Sequence, residues 1–203
     1  MTARTTPEDQ QFSDVLRLAE AAVAAKVSLF QIREKALTAR TLFELTTRAV
    51  EITRGSDTRL LVNDRFDIAR AAGADGVQLT THSLPPHVVR QISSPEFVIG
   101  VSTHSREEAY AAQLAGADFV VFGPVFDTES KRVFGEPQGL EKLEELTTGL
   151  REIPVLAVGG VTLDNVEACF NAGASGVAAI RLFNDGERLS SIVEVIRSRC
   201  RVS

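Results

Sequence analysis

Arg33 and Lys35 lie two residues apart, with Gln31 two residues before them. Side chains that alternate along an extended segment share a face, so these three are expected to point together, two of them cationic. A third cation, Lys131, ends the run Gly123-Pro124-Val125-Phe126-Asp127-Thr128-Glu129-Ser130-Lys131. If the fold brings these groups to one place, they form an anion trap; the alternative for Arg33 and Lys35 is a surface ion pair with Glu34. Gly159-Gly160 lacks side chains, so its backbone N–H groups can approach a phosphate closely, and Arg181 would supply a fixed cation beside it. Asn63-Asp64 offers an amide oxygen and a carboxylate to a hard cation, and one carboxylate helped by substrate phosphates is a common way to hold magnesium. Asp64 is also placed to cap a helix. His82 and His104 are candidate general bases, whereas His87 follows two prolines inside a helical segment and reads as surface.

The elements that must position these residues are marked by a repeat. Ala-Asp-Gly-Val-Gln-Leu begins at Ala74, Gly-Ala-Asp-Phe-Val-Val-Phe-Gly at Gly116, and Gly-Ala-Ser-Gly-Val-Ala-Ala-Ile at Gly173. Each is a small-residue helix exit followed by an apolar run too short for a helix, which predicts repeated helix-to-buried-strand units and hence a parallel barrel. Strands are expected near 27–32, 59–62, 76–79, 97–101, 119–122, 155–158 and 176–180. Helices are expected near 12–25, 39–53, 65–72, 85–92, 106–114, 139–147, 163–172 and 187–199. Thr38 and Ser105 read as N-caps; Gly73, Gly116 and Gly173 read as residues just past helix ends. Segment 1–11 holds no apolar run able to line a barrel. The expectation is therefore a TIM (β/α)8-type α/β barrel whose first strand is missing or atypical, with a homodimer or local rearrangement covering the gap. In such barrels the working groups sit at the C-terminal strand ends, where all the residues named above fall.

With 203 residues, 44% of them hydrophobic, the chain reads as one domain with enough apolar mass for a core. Its net charge of -5, with basic residues scattered, argues against nucleic acid or an anionic membrane as partner and leaves small phosphorylated molecules. Cys169 and Cys200 have no metal or redox spacing and read as free thiols of a reducing compartment. No segment resembles a membrane span or a signal peptide, so a cytoplasmic location is expected.

Six ordered motifs at the expected strand ends resemble the thiamine-phosphate synthase family, which includes the thiazole tautomerases. They are Gln31-Ile32-Arg33-Glu34-Lys35, Val62-Asn63-Asp64-Arg65, Gly76-Val77-Gln78-Leu79, Gly100-Val101-Ser102-Thr103-His104-Ser105, the Gly123 to Lys131 run, and Val158-Gly159-Gly160-Val161. The resemblance implies an enzyme of thiamine biosynthesis that couples hydroxymethylpyrimidine diphosphate to a thiazole phosphate and releases pyrophosphate. It further implies that Arg33, Lys35, Asn63 and Lys131 hold the pyrophosphate and Asp64 a magnesium ion, that Gln31 and Ser102 face the pyrimidine, and that Thr128 and Ser130 contact the substrates. Gly159, Gly160 and Ile180 would hold the thiazole phosphate. Two departures stand out: Ser83 occupies the position of a second magnesium carboxylate, which implies a weakened metal site, and the family's first strand is absent. The Thr80-Thr81-His82-Ser83 segment is similar to the tautomerases, yet Pro124 replaces their histidine base. Synthase is the first expectation, tautomerase the second, and a non-catalytic phosphate-ligand binder the third.

Overall fold

A computed structural model describes residues 8–128 and 136–200. Helices and strands alternate throughout: α1 (Glu8–Ala24), β1 (Leu29–Ile32), α2 (Ala39–Thr53), β2 (Arg59–Asn63), α3 (Phe66–Ala72), β3 (Gly76–Leu79), α4 (Pro86–Ile92) and β4 (Val98–Thr103). They continue as α5 (Arg106–Leu114), β5 (Phe119–Phe122), α6 (Gly139–Gly149), β6 (Val155–Val158), α7 (Val166–Asn171), β7 (Gly176–Ala178) and α8 (Leu189–Cys200). The seven strands form one parallel sheet in chain order, so each helix is a crossover between neighbouring strands. Among the described residues β1 and β7 are the edges of that sheet. The helix layer nevertheless joins its two ends, because α1 packs on both α2 and α8. The result is the expected barrel architecture, with one strand position open among the described residues.

Local chemistry explains most boundaries. Thr38 Oγ1 accepts the Thr41 N–H and Ser105 Oγ accepts the Glu108 N–H, fixing the starts of α2 and α5 as expected. Gly73, Gly116 and Gly173 all sit just past helix ends with positive φ. Three expectations need correction. The third helix starts at Phe66, not Arg65: Asp64 has φ +64, Arg65 is non-helical, and no side chain caps the helix, so Asp64 is not an N-cap. The helix expected from 163 starts at Val166, because Asn165 uses its side chain to accept from Thr162 N–H and donate to the Gly160 carbonyl, closing a turn ahead of it. The last strand ends at Ala178 rather than 180; it pairs only with β6, leaving no second ladder to hold its end.

The two faces of the sheet differ by simple alternation. Phe30, Ile32, Leu60, Val62, Val77, Leu79, Ile99, Val101, Val120, Phe122, Val155 and Ala157 alternate along the strands, and all are buried, as expected for the face covered by helices. Each such side chain contributes roughly 1.5–3 kcal/mol when a large one is fully withdrawn from water. The opposite, concave face carries Gln31, Asn63, Gln78 and Ser102 among its apolar residues, and all but Gln78 are half-buried. Register places Asn63 beside Gln78 and Gln78 beside Gly100, so the polar groups of neighbouring strands are adjacent.

The repeated phrase has a second role. Asp75, just before β3, accepts the Leu60 N–H of β2 at 2.8 Å and pairs with Arg59 at 3.0 Å. Asp118, just before β5, accepts the Ile99 N–H of β4 at 2.7 Å and pairs with Arg90 at 2.6 Å. Each aspartate thus pins the start of the preceding strand and fixes register at the end remote from the chemistry.

Candidate active site

At the C-terminal ends of β1 and β2, Gln31 Nε2 donates to Asn63 Oδ1 at 3.1 Å. Arg33 is half-buried and Lys35 exposed just beyond β1, while Glu34 between them is buried, so the alternation of β1 continues past its last ladder residue. Among the described residues, the five ion pairs include none between Glu34 and either cation. Gln78 is 4% exposed and donates Nε2–H to Ser102 Oγ at 3.0 Å. A Cβ at Gly100 would come within 2.3 Å of both Gln78 Oε1 and the Phe119 ring, so only glycine leaves room for the Gln78 amide.

Beside this group Asp64 is exposed in its left-handed turn, and Ser83 Oγ–H donates to Asp64 Oδ1 at 2.5 Å. The same Ser83 oxygen accepts the Thr80 N–H at 2.8 Å, so the 80–83 turn holds the carboxylate from one side. Arg65, next in the chain, is occupied elsewhere: its Nε and Nη2 grip Asp67 at 2.8 and 2.5 Å. That hydrogen-bonded pairing holds the Asp67 carboxyl below the usual carboxylate range and raises Arg65.

Past β6, Gly159 (φ +94) and Gly160 (φ +66) adopt conformations that favour glycine. A Cβ at Gly159 would meet Pro124 at 2.5 Å, and one at Gly160 would meet Phe126 and the Asp127 carbonyl at 2.7 Å. Val125 N–H and Phe126 N–H donate to the Val158 and Gly159 carbonyls at 2.8 and 3.0 Å, knitting the loops after β5 and β6 together. The carbonyls of Gly159 and Gly160 are therefore used, and among the described residues their N–H groups have no acceptor. This is a main-chain donor pair in the loop itself; α7 begins too late to contribute a helix start. His104 Nδ1 lies 2.5 Å from the Gly123 carbonyl, which only accepts, so Nδ1 is the donor in that contact. His82 and His87 are both exposed.

Gln31, Arg33, Lys35, Asn63, Asp64, Ser102, Thr128, Gly159 and Gly160 thus all lie at one end of the sheet. Ile180 is half-buried in the turn after β7. Arg181 is three residues past β7 rather than one, and exposed. Ser130 and Lys131 lie outside the described residues. Two participants escaped the sequence reading: Gln78, as partner of Ser102, and the hydroxyl of Ser83, as partner of Asp64. The signal for Gln78 was a lone amide in the apolar run Gly76-Val77-Gln78-Leu79. Both thiols are free, Cys169 buried and Cys200 exposed.

The fold and this arrangement define a parallel βα-barrel protein with polar side chains and a pair of main-chain N–H donors at its C-terminal strand ends. The family model described as thiamine monophosphate synthase matches residues 4–183. The chain belongs to that family. A relative from Geobacter sulfurreducens is 43% identical over 93% of this chain and 90% of its own length. The thiamine-phosphate synthase of Moorella thermoacetica is 40% identical over 81% of this chain and 78% of its own. Among solved structures, a thiamine phosphate pyrophosphorylase from Pyrococcus furiosus superimposes with a TM-score of 0.78 at 30% identity, covering 93% of this chain and 88% of that one. Among the described residues no helix is long and apolar enough to cross a membrane.

Proposed function

We propose that this protein is a thiamine-phosphate synthase, a transferase that joins hydroxymethylpyrimidine diphosphate to a thiazole phosphate and releases pyrophosphate. The observation that carries the reading is the concave face: Gln31, Asn63 and Ser102 cluster at the same strand ends as Arg33, Lys35, Asp64 and the Gly159-Gly160 donors. In the reaction the bond from the pyrimidine methylene to the diphosphate oxygen breaks, its electron pair leaves with pyrophosphate, and the thiazole nitrogen forms the new C–N bond. Arg33, Lys35, Asn63 and Lys131 stabilise the charge gathering on the leaving group. Gln31 and Ser102 orient the pyrimidine, Thr128 and Ser130 contact the substrates, and the Gly159 and Gly160 N–H groups, with Ile180, hold the thiazole phosphate. A dry pocket keeps water from the electron-poor methylene.

Magnesium fits the residues present, provided the substrate supplies most of the ligands. Among the described residues no group of three acidic, histidine or cysteine side chains converges, and Ser83 takes one oxygen of Asp64. Asp64 Oδ2 remains, and one carboxylate with diphosphate oxygens and waters is an ordinary magnesium environment. When bound there, the ion would offset charge on the departing diphosphate. The deciding experiment mixes both substrates with enzyme and magnesium and follows phosphate by 31P NMR. Thiamine phosphate and pyrophosphate are expected in equal amounts. Absence of both would refute the synthase reading. The bond from Ser83 to Asp64, which removes a metal-binding oxygen, favours a second reading, proton transfer on a thiazole carboxylate phosphate, tested by solvent deuterium exchange into that compound.

A further inference from the structure

We propose that Gln78 is a positioning residue that makes Ser102 a hydrogen-bond donor to the bound heterocycle, so that the pocket selects a ring bearing an acceptor nitrogen. The inference rests on the reading that Ser102 faces the pyrimidine. It begins with a polar side chain more than nine-tenths buried: Gln78, on the concave face of β3, is 4% exposed. Its Nε2–H donates to Ser102 Oγ at 3.0 Å. With Nε2 on Ser102, the Oε1 end is the one that stands beside Gly100, where an added Cβ would fall 2.3 Å away.

A serine hydroxyl has one proton and two lone pairs. With one lone pair engaged by Gln78, and with no acceptor for the hydroxyl proton among the described residues, half-buried Ser102 keeps its O–H for a ligand on the concave face. The partner that fits is a neutral acceptor such as a pyrimidine nitrogen. A ring with C–H in that place would leave the buried hydroxyl proton unpaired, which is a steep way to reject a near-isostere. The other amide pair differs in polarity: Gln31 Nε2 spends its donor on Asn63 Oδ1, leaving Gln31 Oε1 to accept and Asn63 Nδ2 to donate. The concave face therefore offers an acceptor at Gln31 and donors at Asn63 and Ser102, and Gln78 is responsible for the Ser102 donor.

Calorimetric titration of the full-length protein with hydroxymethylpyrimidine diphosphate, and with its phenyl analogue carrying C–H in place of both ring nitrogens, tests this. The wild type is expected to bind the pyrimidine about tenfold more tightly, the value of one buried hydrogen bond. Gln78→Met should reduce that preference to threefold or less. Gln78→His, which keeps an N–H donor, should retain it. Ser102→Ala should abolish it, and Gln78→Met should add nothing in the Ser102→Ala background. A merely structural Gln78 would weaken both ligands equally. Thermal melting reports whether each variant folds. Should Gln78→Met not fold, the wild-type Gln78 side-chain amide proton provides the second measurement, expected to shift in Ser102→Ala. A wild type without preference, a Gln78→Met protein that keeps it, or an amide proton indifferent to Ser102→Ala overturns the proposal. Synthase turnover can persist in each of those cases, so failure here is distinct from failure of the synthase reading.

Discussion

Replacing Gly100 by alanine is the sharpest test of how the sheet builds its pocket. The added methyl carbon would stand 2.3 Å from Gln78 Oε1 on one side and 2.3 and 2.7 Å from two Phe119 ring atoms on the other. Relief requires movements of about 1 Å in both neighbours before ordinary contact distances return. Both are buried, Gln78 at 4% and Phe119 at 6% exposure, so neither can swing into solvent. Overpacking of this kind costs roughly 1–3 kcal/mol, and loss of the bond from Gln78 to Ser102 adds about 1 kcal/mol. The expected destabilisation of about 3 kcal/mol should lower the urea midpoint by about 1.5 M for a slope near 2 kcal/mol/M. Activity should fall at least fivefold even where the variant is fully folded, because Ser102 loses its partner. Phe119→Leu removes the outer ring atoms, so the double variant should be at least about 1 kcal/mol more stable than the sum of the two single effects predicts. A Gly100→Ala protein within about 0.5 kcal/mol of wild type, or strict additivity with Phe119→Leu, would show that the packing argument is wrong.

Asp64→Asn keeps the shape of the side chain and its bond with Ser83 but removes the charge; turnover should fall at least tenfold and the magnesium concentration for half-maximal rate should rise, as read from a magnesium titration. Asp118→Ala strips the Ile99 N–H and Arg90 of their acceptor, and a loss of about 2 kcal/mol is expected in urea unfolding, with little change in KM because the residue lies at the far end of the strands. Burial pushes the Cys169 thiol up from 9.0 to about 11. Its neutral form is the one the fold prefers, so that contribution is intact below about pH 9 and fades as the pH climbs through 11. Up to about 2 kcal/mol is at stake; Cys169→Ala should flatten the decline in stability between those pH values, and identical slopes for the two proteins would refute the assignment.

The backbone plan was legible because the signals were local and repeated. Gly73, Gly116 and Gly173 mark helix exits, Thr38 and Ser105 mark helix starts, and the short apolar runs after the exits are too brief for anything but strands. What the sequence concealed was lateral. The conformation of Asp64 is an αL turn, compatible with aspartate but invisible in a stretch that otherwise reads as a helix start. The short last strand depends on the absence of a second neighbour, a property of the sheet and not of Gly176–Ala178 themselves. Gln78 is paired with a residue 24 positions away, so its partner emerges only once β3 and β4 lie side by side. Asp75 and Asp118 were read as part of a helix exit, while their carboxylates act on a strand that precedes them in the chain.

The open place between β1 and β7 has a dynamic consequence. Amide protons of the inner strands β3 and β4 are guarded by ladders on both flanks, while the outermost two strands have one flank each. Isotope exchange should therefore grade from slow at the middle to fast at the rims. The hydrogen-bonded pair Gln78 and Ser102, seated on β3 and β4, belongs to the rigid part. Arg33 and Lys35 after β1, and the turn bearing Ile180 after β7, belong to the yielding part. In the proposed synthase, such a division would let recognition stay fixed while the margins breathe to admit one phosphorylated molecule and let another go.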